Sequence, residues 1–129
     1  MGVASELAQR SMAAIEAKDR DGWLALFAED GIVEDPVGPS MFDPDGVGHR
    51  GAEAIAAFYD NVIAVTDSIR FHFREYYDCG VEVAYVGEIH ITVGGKVGVC
   101  KLVSTYRASP DGKLAALRAY WEQDRLTFE

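Results

Sequence analysis

The chain has 129 residues, 49% of them hydrophobic and 26% charged, enough apolar material for one core and too much for a disordered chain. Its net charge of −9 excludes a phosphate-backbone partner and disfavours an anionic membrane surface, so neither nucleic acid nor membrane is expected. No apolar run approaches the roughly 20 residues of a bilayer span, and the opening "MGVASELAQR" lacks a basic start followed by an apolar stretch, so the chain reads as one cytoplasmic domain over residues 1–129.

Leu7, Ser11, Ala14 and Ile15 fall at helical spacing and predict a helix over about residues 3–18, with a serine in its apolar stripe. Asp19 can cap a second short helix carrying Trp23, Leu24, Leu26 and Phe27, which "AEDG" stops. "IVED" is then a short strand. Residues 36–50, "PVGPSMFDPDGVGHR", carry the turn residues of a long loop, and Met41 and Phe42 give it an apolar tip. Either the tip covers a ligand or it merely pins the loop down. Ile55, Phe58, Tyr59, Val62 and Ile63 predict a third helix over residues 51–66.

The period then changes. In "VEVAYVGEIHITV", Val81, Val83, Tyr85, Ile89, Ile91 and Val93 alternate with Glu82, Glu88, His90 and Thr92, the pattern of a half-buried antiparallel strand. Gly94-Gly95 signals a hairpin, and "SPDG" a turn before a strand around "KLAALRAYW". Helices followed by antiparallel strands describe an α+β domain: three N-terminal helices on a strongly curved, mostly antiparallel sheet, a cone whose open end is a pocket.

Candidate chemistry centres on Asp35. If Val33 faces the interior, the strand period of two turns Asp35 inward and Glu34 outward. A carboxylate in an apolar pocket becomes a base near neutral pH, whereas a turn acid stays solvated; the local pattern admits both. Cys79 and Cys100 read as reduced, half-buried strand residues, since they are far apart and form no CxxC. His90 and His72 read as outer-face residues and His49 as a loop residue. Tyr76, Tyr77, Tyr85 and Tyr106 read as sheet or interface packing. No metal-ligand spacing, GxSxG, P-loop or dinucleotide fingerprint is present.

"LFAEDGIVEDPVG", "AIAAFYDNV" and "RAYWEQDRLTF" resemble, in order and approximate spacing, three segments of the bacterial Δ5-3-ketosteroid isomerases, within the nuclear transport factor 2-like (SnoaL-like) superfamily. The resemblance spans about residues 4–128. It implies Asp35 as the base that moves a proton from the carbon α to a ketone to the γ carbon. It also implies Tyr59 and Trp121 as pocket residues, with Phe27, Val33 and Leu117 alongside. The family's oxyanion donors, a helix tyrosine and a strand aspartic acid, fall here on Ser11 and Ser104, and a supporting tyrosine falls on Phe27. Alcohols are poorer donors to a dienolate, so the expected isomerase is weakened.

The expected function is a ketosteroid-isomerase-like proton transfer on a hydrophobic steroid-like ketone, without cofactor or metal, in a homodimer. The alternatives are a polyketide cyclase, dehydratase or hydrolase on the same cone, or a non-catalytic carrier of steroid-like ligands.

Overall fold

The computed structural model describes residues 2–129. The apolar stripe of the first segment forms α1, Val3–Glu16, which buries Ala4, Leu7, Ala8, Ser11, Met12 and Ile15 on one face. A left-handed residue, Lys18 at φ 58°, reverses the chain. Asp19 then caps α2, Arg20–Leu24, by accepting from the Gly22 N–H at 3.0 Å. The second helix is shorter than expected. Leu26 accepts from the Leu114 N–H at 2.8 Å, and sheet pairing draws Phe27 onto β1, Phe27–Glu34, so "AEDG" lies within a strand.

The long loop follows, ending in the two-residue β2, His49–Arg50. The third helix then divides into α3, Ala52–Phe58, and a π-turn over Tyr59–Ile63, where the Ala64 N–H reaches the Tyr59 carbonyl at 2.8 Å. Phe58 and Tyr59, where the two segments meet, are both buried. Lys18 secures this end: its Nζ donates to the carbonyls of Ile63 and Thr66 at 2.8 and 2.7 Å and to Thr66 Oγ1 at 2.6 Å.

The remaining chain is antiparallel sheet: β3, Ser68–Asp78; β4, Glu82–Val93; β5, Lys96–Ala108; and β6, Leu114–Tyr120. The β4–β5 hairpin turns on Gly94 and Gly95, whose φ values of 58° and 80° suit a turn with both central residues left-handed. The "SPDG" turn joins β5 to β6. Cys79 is exposed between β3 and β4, outside both strands, whereas Cys100 is buried on β5. The six strands lie in the order β2-β1-β6-β5-β4-β3, antiparallel except for β1 beside β6. Helix α1 crosses β3, β4 and β5, and the sheet curls around it into the expected α+β cone.

Candidate active site

The register places the site. Val33 on β1 pairs with Leu117 on β6, and Leu117 with Tyr106 on β5; all three side chains are buried on the concave face. One inward step nearer the mouth, the same register brings Asp35, Ala119 and Ser104 into the next row. Glu34, between Val33 and Asp35, points outward and pairs with the Arg118 guanidinium. Asp35 and Ser104 therefore face one another across a small residue, with their strands about 10 Å apart.

These groups line a cavity of about 440 Å³ walled mainly by apolar side chains, among them Ile15, Val33, Phe58, Ile69, Leu102 and Leu117. Asp35 is half-buried at the cavity wall, and its Oδ1 accepts a hydrogen bond from Trp121 Nε1 at 2.5 Å. Burial pushes its pKa up to about 6, and the Trp121 N–H opposes the rise. The carboxylate is thus ionised at neutral pH and close to the proton affinity suited to a general base. At the opposite end Ser11 Oγ accepts from Trp23 Nε1 at 3.0 Å. Ser11 and Ser104 are both buried cavity residues.

Two expected pocket residues do not reach the cavity. Phe27, at the start of β1, packs edge-on against Trp23 with ring centroids 4.9 Å apart. The Tyr59 ring is buried 5.6 Å from the Trp23 ring. Both rings pack against Trp23, and it is Trp23 and Phe58 that line the cavity. Tyr106 requires the opposite correction. It packs in the sheet's buried core as expected, but its side chain also lines the cavity together with Ser11 and Ser104. The signal was present in the sequence: Ser104 and Tyr106 are two apart on one strand and share a face.

The loop after Asp35 closes on the mouth. Met41 and Phe42 join the lining, and the Met41 N–H donates to Gln123 Oε1 at 3.0 Å. Asp43 holds the loop's return by accepting from the Gly48 N–H at 2.7 Å. Phe128 covers the other rim, bridged to Gly98 at the start of β5. His49 lies away from the cavity, its ring 4.9 Å from Phe58. The His72 and His90 rings meet, tilted, on the outer sheet face at 4.1 Å.

The SnoaL-like domain profile matches residues 8–123. The chain belongs to the SnoaL-like family. The solved structure of RV0760c from Mycobacterium tuberculosis is 36% identical, with a TM-score of 0.93, covering 100% of this chain and 98% of that one. The same protein, solved in complex with estradiol-17beta-hemisuccinate, superposes with a TM-score of 0.90 at 35% identity, covering 99% of this chain and 100% of that one. Delta 5-3-ketosteroid isomerase from Mycobacterium sp. is 36% identical with a TM-score of 0.92, and each chain is covered in full. This SnoaL-like protein thus has full-length structural relatives that include a steroid isomerase and a steroid-bound protein.

Proposed function

We propose that this SnoaL-like protein binds a flat, hydrophobic, steroid-like ketone and shifts its double bond by proton transfer through Asp35. One observation carries the reading: an apolar cavity holds a carboxyl whose pKa is about 6 and whose orientation the Trp121 indole fixes. In the step, the Asp35 carboxylate takes a proton from the carbon between the carbonyl and the alkene. The electron pair left behind delocalises onto the carbonyl oxygen as a dienolate. The same proton then returns to the γ carbon, giving the conjugated enone and restoring the carboxylate. Val33, Leu117 and Trp121 would hold the rings against the base. The estradiol-derived ligand of RV0760c and the isomerase relative support a steroid-like substrate class.

The test is turnover of 5-androstene-3,17-dione, followed by the growth of enone absorbance. The expected result is slow isomerisation that Asp35→Asn removes. No turnover in wild type, or turnover that survives Asp35→Asn, overturns the reading.

A second reading has its own observation. Ser11 and Ser104 are the buried alcohols that the resemblance puts in place of the family's acidic donors, and they favour a carrier of steroid-like ligands, which needs the apolar cavity but no strong donor. Saturable steroid binding without turnover would select it. A different cyclase, dehydratase or hydrolase chemistry on the same base would instead show as turnover of other substrates. We also propose a homodimer through the outer sheet face, where Val99, Val103 and Tyr120 stay partly exposed. A monomer by sedimentation velocity at tens of micromolar removes that proposal.

A further inference from the structure

Two segments cover the cavity mouth, and they are tied down unequally. The loop after Asp35 is bonded at its root, where the Val37 N–H donates to the Ala119 carbonyl at 2.9 Å. Ser40 and Asp43 then exchange backbone bonds at 3.0 and 3.1 Å, and the Asp43 carboxylate holds the Gly48 N–H. The segment after β6 has less. Over residues 122–129 every residue is exposed except Leu126, which is half-buried. Its end is tied by a reciprocal pair of backbone bonds at 3.1 Å between Val97 and Glu129, and Gln123 Oε1 accepts from the Met41 N–H. Yet Gln123, Leu126 and Phe128 all line the cavity. Gly98 decides how Phe128 sits. On β5, Ser104, Leu102 and Cys100 form an inward row that lines the cavity, and Gly98 continues it without a side chain. The Phe128 ring fills that gap so closely that a Cβ at Gly98 would meet it at 2.8 Å. At this rim the wall is a ring supplied by the segment after β6, not by the strand.

We infer that residues 122–129 form a strap that lifts from Gly98 to admit and release the ligand, with the Phe128 ring as its plug. This rests on the cavity being the ligand site proposed above. A rigid, flat ring system cannot bend past a narrowed rim, so the rim must yield. It yields where the fewest contacts break, and lifting the strap costs only exposed hydrogen bonds and the seating of one ring. The base need not move with it. Trp121 lies at the root of the strap, its indole bonded to Asp35 at 2.5 Å, and the segment opens beyond that point. Closed again, Leu126 and Phe128 cover an apolar ligand that the open mouth would leave to water.

The test follows binding of the fluorescent steroid equilenin to the intact protein by stopped flow. A gate limits entry as well as exit, whereas a wall that merely touches the ligand governs exit alone. Gly98→Ala pushes Phe128 off its seat and should raise the association rate constant about fivefold or more, because a larger fraction of the protein is open. In the opposite direction, Val97→Cys with Glu129→Cys, made with Cys79→Ser, sets a disulfide across the reciprocal pair. Oxidation should slow association about tenfold or more, and dithiothreitol should restore it in the same sample. An association rate unchanged by Gly98→Ala, or equal in the oxidised and reduced forms, overturns the inference. Faster dissociation alone in Gly98→Ala also overturns it, since Phe128 would then be a wall. Either arm decides where the other variant does not fold or does not form its disulfide. Saturable binding with unchanged association rates leaves the proposed function standing. No binding of equilenin by wild type removes the proposed ligand class and the inference together.

Discussion

Burial pushes the Asp35 carboxyl up to about 6 while the Trp121 indole pulls it back, and each effect predicts a separate experiment. The base acts as the carboxylate, so kcat/KM should rise with pH, reach half its plateau near pH 6, and stay flat above. Trp121→Phe removes a donor that favours the charged form. Its acid limb should move to higher pH, with the half-point raised by up to about one unit. An unmoved limb would show that the indole packs against the carboxyl without stabilising its charge. The same group predicts a stability difference. Between the ordinary value of 3.8 and about 6 the unfolded chain releases this proton while the folded one keeps it, so stability falls as pH rises through that window. The loss is about 2–3 kcal/mol, complete above pH 6. Asp35→Asn should therefore be more stable than wild type at pH 8 and nearly equal at pH 4. Urea unfolding at the two pH values checks it, and an equal difference at both would remove burial as the cause.

Lys18 joins the two helical segments through competing effects. Its φ of 58° costs a residue with a side chain roughly 1–2 kcal/mol. Against that stand three hydrogen bonds from its ammonium to the end of the third helical segment. Each such bond from a charged donor contributes about 1.5–3 kcal/mol at most, less here because the side chain is half-exposed. The clamp wins, so Lys18→Gly should destabilise by about 1–3 kcal/mol although glycine suits the backbone. A more stable glycine variant would mean that the hydrogen bonds contribute nothing. These contacts also explain what sequence could and could not show. The β4 alternation and the Gly94-Gly95 turn follow from local period and turn chemistry and were legible, whereas the local pattern left Asp35 open between pocket and solvent and the resemblance favoured the pocket. Helical spacing gave Phe58 and Tyr59 alike as buried helix residues, and only the resemblance put Tyr59 in the wall, where Phe58 stands. Phe27 was read as helical because its pull onto the sheet comes from Leu114, far along the chain. Tyr106 was legible by the period of two from Ser104, but the same pattern also describes ordinary sheet packing.

The cavity walls come from almost the whole chain, from Ser11 on the first helix to Phe128 beyond the last strand. Met41 and Phe42 on the loop and Phe128 at the opposite rim reach the same opening, so a ligand must contact segments distant in sequence at once. The hollow also lies within the packing that stabilises the fold, since Ile15, Val33, Ile69 and Leu117 are both core residues and cavity wall. Apolar surface that an ordinary domain first exposes on unfolding is in part open to solvent here already. The heat capacity therefore records occupancy. Filling the hollow with a steroid-sized ligand removes on the order of 500 Å² of apolar surface from water, a change of about −0.2 kcal/mol/K. Calorimetric titration at several temperatures should show the binding enthalpy becoming steadily more exothermic on warming, and a temperature-independent enthalpy would place the ligand outside the cone. Once loaded, the protein should carry a larger heat capacity of unfolding and a more sharply curved dependence of stability on temperature than the empty form.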